Sequence, residues 1–260
     1  MPPPASRPPQ DGSAPPMQDD QPGRASAAKQ WWTHLWIPLL VFAAAISLIT
    51  WQHIDWRLAH GLFAGQGEAW PLRKAFLTET LIHKRGHDLS IVAWVIVLGF
   101  WLASFKRASL RVWRRPLGYL LLAVLLGTLL ISWIKSWSNI DCPWDVVGLG
   151  GDRPYVGVFA TRPEGLPNGR CFPAGHASGG YAWMALYFFF LMIRPHLRWR
   201  GLAVGVGVGV VFGIAQQFRG AHFLSHDLWT AMLCWTVAFL VYRFFQRGDR
   251  RRSRPESSPG

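Results

Sequence analysis

Six apolar stretches recur along the chain, and none of them contains Asp, Glu, Lys or Arg. They are Leu35–Trp51, Leu89–Phe105, Pro116–Ile134, Ala177–Ile193, Gly201–Phe218 and Leu228–Tyr242. A helix that crosses the hydrocarbon core of a bilayer needs about 20 apolar residues, with a range of about 17–25. The last stretch is short, but Phe244 and Phe245 extend it if Arg243 reaches back to the interface. The pattern therefore predicts an all-α polytopic membrane protein with six transmembrane helices and an outward polar loop between helices three and four.

The composition excludes a soluble globular protein. Half of the chain is apolar and only 16% is charged, whereas soluble domains carry about 25% charged residues. A soluble bundle of six such helices would have too little polar surface to cover them. Tryptophans flank the stretches, as in the aromatic belts of membrane proteins: Trp31, Trp32, Trp36, Trp51, Trp133 and Trp137. The three cysteines are too few for a disulfide scaffold.

The positive charges predict an orientation. The net charge of +13 would suggest a nucleic-acid partner in a soluble chain, but here the Lys and Arg residues lie in short blocks beside the apolar stretches. With six spans, the side that holds both termini carries 17 of the 27 Lys and Arg residues, and the other side carries 10. The positive-inside rule then places both termini on the cytoplasmic side of a bacterial inner membrane. The sequence predicts no nucleic-acid partner.

The same pattern sets the expected domain boundaries. Residues 1–30 are rich in Pro, Ser, Ala, Asp and Gln and predict a disordered cytoplasmic tail, with no cleaved signal peptide. Residues 31–246 form the membrane domain, and residues 247–260 form a basic cytoplasmic tail. The mildly amphipathic segment near Pro71–His83 predicts an interfacial helix on the outer side.

The polar residues of the outward segments suggest a phosphate site. They stand at three helix ends: Lys135; Arg170, Gly175 and His176; and Arg219, His222, His226 and Asp227. Lys and Arg neutralise phosphate oxygens, and backbone N–H groups at the start of a helix add donors. One histidine can attack phosphorus, and another can protonate the leaving oxygen. Cations and histidines on one membrane face therefore predict phosphoryl chemistry there.

Three short motifs in this region resemble those of the type 2 phosphatidic acid phosphatase superfamily, relatives of the vanadium haloperoxidases. The family has Lys, six residues and Arg-Pro; then Pro-Ser-Gly-His; then Ser-Arg, five residues, His, three residues and Asp. Here the motifs read Lys135, six residues and Cys142-Pro143; Pro173-Ala174-Gly175-His176; and Gly220-Ala221-His222-Phe223-Leu224-Ser225 followed by His226-Asp227. The resemblance covers about Lys135 to Trp229.

Four positions depart from the family pattern. Cys142 and Gln216 stand where the family has Arg, Ala174 stands where it has Ser, and His226 stands where it has Asp. Arg170 and Arg219 are near enough in sequence to replace the missing arginines. Asp227 comes one residue late for the acid that orients the nucleophile. Either the helix starts slightly differently here, or His226 takes part in the relay.

The resemblance implies a metal-independent lipid phosphate phosphatase that needs no cofactor. His222 would attack phosphorus to give a phosphohistidine, with Asp227 orienting its ring, and His176 would protonate the leaving lipid alcohol. The phosphate would be held by Lys135, Arg170, Arg219 and the Gly175 amide. The partners are the membrane and a lipid phosphate within the bilayer. The identity of the lipid and the choice between hydrolysis and transfer stay open.

Other interpretations also stay open. The four departures motivate a catalytically silent relative that binds lipid phosphate or scaffolds other proteins. His222 and His226 are spaced as metal ligands on a helix often are, with His176 as a third. A transporter is disfavoured, since transporters place polar groups near the midplane. The alternating glycines at Gly205–Gly209 lie inside an apolar stretch and predict close helix packing.

Given this resemblance, two of the three cysteines are expected to lie near the site. Cys142 replaces a phosphate-binding arginine, and Cys171 stands five residues before His176. Both would face an oxidising compartment, so a Cys142–Cys171 disulfide is expected that ties the start of the outward loop to its end. Two free thiols are the alternative, and Cys234 is expected to serve packing alone.

Overall fold

The structure is a computed structural model that describes residues 27–252, with side chains described as far as residue 247. The predicted N-terminal tail before residue 27 and the end of the basic tail after residue 252 lie outside the described residues. Within that range the fold is helical, and the sole β-type pairing there is an isolated bridge between Val146 and Arg153. The α-helices are α1 Ile37–Trp51, α2 Ile54–Gly65, α3 Gly86–Lys106, α4 Arg114–Trp137, α5 Gly175–Tyr181, α6 Leu186–Ile193, α7 Arg198–Phe218 and α8 Leu224–Arg252.

Five helical segments of the described range are long and apolar enough to cross a membrane, which makes this a multi-pass membrane protein. They are Ala27–Trp51, Pro71–Lys106, Ala108–Trp137, Pro195–Phe218 and Leu224–Arg247. Each contains one of the predicted stretches. The remaining stretch, Ala177–Ile193, is helical but is not among these five. The 3-10 turn Ala182–Ala185 divides it into α5 and α6.

The helices extend beyond their predicted bounds in three places. Pro71–His83 does not form a separate interfacial helix; a 3-10 turn and the π-helix Phe76–Arg85 continue it into α3. The helical backbone begins by Ala27, inside the predicted tail, and α8 continues through Arg252. Packing explains the N-terminal extension, because Trp31 meets Phe239 edge-on at a centroid distance of 5.1 Å.

The core lies where α4, α5, α6 and α8 meet. Tyr119, Phe188 and Phe239 are fully buried there. The Tyr119 hydroxyl donates to the carbonyl of Ala185 at 3.3 Å and lies 3.1 Å from that of Ala238. A buried hydroxyl needs such partners, so Tyr119 links the divided α5–α6 segment to α4 and α8.

Glycines allow α7 to pack tightly against α5 and the turn that follows it. A Cβ atom on Gly205 would lie 2.3 Å from the backbone nitrogen of Met184, and one on Gly180 would lie 2.3 Å from the backbone nitrogen of Gly209. Only hydrogen fits at such separations. The alternating glycines therefore act as packing positions, which hold the end of α5 and the turn after it against the middle of α7.

Substitution of Gly205 by alanine is expected to lower the thermal unfolding temperature of the detergent-solubilised protein. The new methyl group would overlap backbone atoms, and overpacking of this kind costs about 1–3 kcal/mol. Gly207 is the matched control, because a Cβ atom there would meet no atom within 4 Å. Equal melting temperatures for Gly205→Ala and Gly207→Ala would contradict the packing role.

Candidate active site

Three helix ends meet at one end of the bundle. Lys135 lies in the last turn of α4, Gly175 and His176 begin α5, and His222 lies in the short segment between α7 and α8. A Cβ atom on Gly175 would lie 3.2 Å from Lys135 Nζ. The absence of a side chain at Gly175 therefore lets the ammonium group approach the first turn of α5.

His222 is buried and oriented by the main chain. Its Nδ1 lies 2.6 Å from the carbonyl oxygen of Cys171. A carbonyl oxygen can only accept a hydrogen bond, so Nδ1 carries the proton and Nε2 of the neutral ring keeps its lone pair. Burial, and then the positive charge of Lys135, hold the pKa of His222 well below its usual value. The ring is therefore neutral at pH 7, the state that a nucleophile requires.

His176 is held by a second main-chain carbonyl. Its Nε2 lies 3.2 Å from the oxygen of Ile82, in the π-helical segment that precedes α3. The ring also contacts Phe212 and His83, at centroid distances of 4.6 and 4.4 Å. With Nε2 donating to Ile82, Nδ1 is the ring nitrogen available for proton exchange.

Arg219 lies beside these histidines in a network of its own. Its guanidinium donates to the main-chain oxygen of Arg73, to Gln216 Oε1 at 3.1 Å, and to the carboxylate of Glu79. The side chain is buried. A buried guanidinium with an exchangeable anionic partner is suited to bind phosphate in place of the carboxylate.

Arg170 is not brought into this cluster. It is exposed and makes no hydrogen bond or ion pair with another described residue. The next residue, Cys171, donates its main-chain N–H to Ile140 at 2.9 Å and accepts from His222. The backbone at Cys171 thus faces the site, while the Arg170 side chain stays at the surface.

Asp227 is not in contact with His222 either. Its carboxylate accepts a hydrogen bond of 2.6 Å from Gln217 and lies against Gly213, where a Cβ atom would be 2.8 Å away. The reason is that His222 precedes α8, which begins at Leu224, so helical spacing does not relate the two residues. The structure gives the orienting contact to the Cys171 carbonyl instead.

His226 is almost fully buried beside the site. Its ring centroid lies 5.8 Å from that of His222 and 5.3 Å from that of Phe172. Within residues 27–247 no group of three or more His, Cys, Asp or Glu side chains is placed to hold a metal ion.

A comparison with protein-family models identifies the family of this chain. The family model described as PAP2 superfamily matches residues 116–250, which is more than half of the chain. The chain belongs to the PAP2 superfamily. This membership confirms the resemblance that the three motifs suggested.

A solved PAP2 structure has the same fold. It is described as the first transmembrane PAP2-type phosphatidylglycerolphosphate phosphatase from Bacillus subtilis. The match has a TM-score of 0.50 at 20% sequence identity and covers 85% of this chain and 96% of that chain. No curated protein matches this chain significantly.

Sequence reasoning missed the contribution of the Pro71–Arg85 segment to this PAP2 site. Glu79, Ile82 and His83 all contact site residues from it. The signal was present, because the segment was predicted to lie on the outer side and carries Arg73, Glu79 and His83 among apolar residues. The PAP2 motifs themselves begin only at Lys135, so they do not point to it.

The loop between α4 and α5 of this PAP2 protein is closed at its base. Cys142 and Cys171 are joined as a disulfide pair, with Cα atoms 5.1 Å apart. Inside the loop, Asp141 accepts hydrogen bonds from the guanidinium groups of Arg153 and Arg162. The disulfide and these ion pairs hold together the loop that leads to Cys171, whose carbonyl orients His222.

Loss of the cross-link is expected to lower both stability and activity. For a loop of 29 residues, chain entropy predicts about 3–4 kcal/mol of stabilisation. A Cys142→Ser/Cys171→Ser variant should therefore melt at a lower temperature than the wild type and turn over more slowly, since the Cys171 carbonyl loses its anchor. Dithiothreitol should lower the melting temperature and the turnover of the wild type and should leave those of the variant unchanged. Labelling of both residues by a thiol reagent in non-reduced protein would contradict the disulfide.

Proposed function

We propose that this PAP2 protein is a metal-independent phosphatase that acts on a lipid-linked phosphate through a phosphohistidine at His222. Family membership supports a lipid phosphatase. The observation that carries the finer proposal is the hydrogen bond between His222 Nδ1 and the Cys171 carbonyl, which leaves Nε2 as a neutral nucleophile. The outer, periplasmic face follows from the distribution of Lys and Arg, with both termini cytoplasmic and the α5–α6 segment as a sixth span.

In the first step, Nε2 of His222 forms a bond to phosphorus as the bond from phosphorus to the lipid oxygen breaks. His176, which carries a proton on both ring nitrogens when the lipid phosphate is bound, gives its Nδ1 proton to the departing lipid alkoxide. Lys135, Arg219 and the Gly175 amide stabilise the charge on the phosphoryl oxygens, and charge-assisted hydrogen bonds of this kind are the strong ones. Glu79 leaves Arg219 as the phosphate takes its place. Arg170 stays outside this cluster.

In the second step, water attacks phosphorus and the bond to Nε2 breaks. His176, now neutral, takes the proton of the attacking water, so the enzyme returns to its starting state with inorganic phosphate released. Side-chain cations supply the positive charge that a metal ion provides in other phosphatases. The lipid tail remains in the bilayer because the site lies at the helix ends.

Release of inorganic phosphate in detergent micelles tests this proposal. The substrates are phosphatidic acid, phosphatidylglycerol phosphate, undecaprenyl pyrophosphate and a lipid A phosphate. We expect release from at least one of them at a rate that EDTA does not change. Loss of activity with EDTA and its return with zinc would overturn metal independence. Binding without release from any of the four would favour a catalytically silent relative.

A further inference from the structure

We propose that His83 supplies the phosphate contact for which Gln216 replaces the usual PAP2 arginine. The inference rests on the proposed phosphatase function and adds a binding residue that lies outside the three motifs. His83 belongs to the π-helical segment Phe76–Arg85, and its Nδ1 lies 3.1 Å from Gln216 Nε2. Gln216, which replaces the cationic residue of the family, is thus in direct contact with the imidazole of His83 from a distant part of the chain.

The contacts of Gln216 fix which atoms donate. Arg219 has only N–H donors, so the Gln216 atom that it contacts at 3.1 Å must be the amide oxygen. The other end of the amide is then the NH₂ group, which donates to His83 Nδ1. An imidazole that accepts at Nδ1 carries its proton on Nε2. Gln216 thereby selects the tautomer of His83 in which Nε2–H is a donor.

That donor is unused within the described residues. His83 Nε2 makes no hydrogen bond there, and the ring is only partly buried. The ring centroid lies 4.4 Å from that of His176, the residue proposed to exchange a proton with the substrate. A phosphoryl group that reaches His176 therefore comes within reach of the His83 N–H.

The segment that carries His83 is anchored to the site at two further points. Glu79 pairs with Arg219, and the Ile82 carbonyl accepts from His176. When phosphate displaces Glu79 from Arg219, the Ile82 and Gln216 contacts remain and still hold His83 beside the site. Because His83 is already held in place, its N–H can replace an arginine contact with little loss of side-chain entropy when phosphate binds.

The test is a mutant set assayed for phosphate release, with inorganic phosphate as a competitive inhibitor. We expect His83→Ala to lower kcat/KM by about 10- to 100-fold, the effect of removing one hydrogen bond to a charged group. Its inhibition constant for inorganic phosphate should rise by a similar factor. The matched control is His196→Ala, an exposed histidine in the 3-10 turn between α6 and α7, which should behave as wild type.

A second substitution separates binding from folding. Gln216→Arg restores the family residue, so the double variant His83→Ala/Gln216→Arg should regain most of the lost kcat/KM. A defect in His83→Ala with an unchanged phosphate inhibition constant and no rescue would overturn the inference. Wild-type kinetics of His83→Ala would also overturn it, while an inactive His222→Ala in the same assay would leave the proposed function standing.

Discussion

Replacement of His222 by alanine is expected to abolish phosphate release. Alanine has no nitrogen to bond to phosphorus, and the remaining cations would bind the phosphate without a group that attacks it. Removal of a covalent nucleophile typically costs on the order of 10⁴-fold or more in kcat. The loss should appear in kcat with detergent-solubilised protein at saturating lipid phosphate.

The control for this variant is His60→Ala, since His60 is exposed on α2 and stacks on Trp56. That protein should turn over at the wild-type rate. The melting temperature of His222→Ala shows whether the fold is retained. A folded His222→Ala protein that still releases phosphate at the wild-type rate would exclude His222 as the nucleophile.

Replacement of His176 by alanine should lower kcat by at least about 10²-fold, the lower end of what general acid catalysis contributes. The proton that His176 gives to the lipid alkoxide matters most when the leaving group is basic. An activated aryl phosphate has a far less basic leaving oxygen, so its phosphoryl transfer to the enzyme should be much less affected. Comparison of burst rates for the two substrates measures the difference.

His196→Ala is the matched control for His176→Ala, because His196 is exposed in the 3-10 turn between α6 and α7. It should leave both burst rates unchanged. An equal loss with the aryl phosphate and the lipid phosphate would show that His176 acts on binding or folding rather than as an acid.

The apolar stretches predict most of the fold because long runs without charge have few alternatives to crossing a bilayer. The fourth stretch forms two α-helices rather than one. Gly180 permits the tight approach of α7, since a Cβ atom there would lie 2.3 Å from the backbone nitrogen of Gly209, and a 3-10 turn follows at Ala182–Ala185. This turn lies inside an apolar run without charge, so the absence of charge did not predict it.

The sequence could predict which helix-end residues of the candidate site lie near one another, but not how each side chain is directed. That reasoning grouped Lys135, His176 and His222 correctly. It could not assign directions within turns: Asp227 meets α7 rather than His222, and Arg170 remains at the surface. The Cys171 carbonyl that orients His222 belongs to the main chain, which every residue type has, so the sequence could not identify it.

Contacts between distant segments were also beyond prediction. The pair His83 and Gln216 is separated by 133 residues, and Arg219 and Glu79 by 140. Spacing rules describe neighbours along one helix, whereas these pairs depend on how the Pro71–Arg85 segment lies across the end of α7. The sequence showed that Gln216 replaces an arginine of the family, but it did not show that His83 lies beside Gln216.

The stereochemical course at phosphorus tests the central claim most directly. A phosphohistidine requires two successive in-line displacements, each of which inverts the phosphorus centre. A substrate with a chiral phosphoryl group made from three oxygen isotopes should therefore transfer that group to an acceptor alcohol, in the second step, with net retention of configuration. Net inversion would contradict the account, because it would mean that the acceptor attacks the lipid phosphate directly and that His222 never forms a bond to phosphorus.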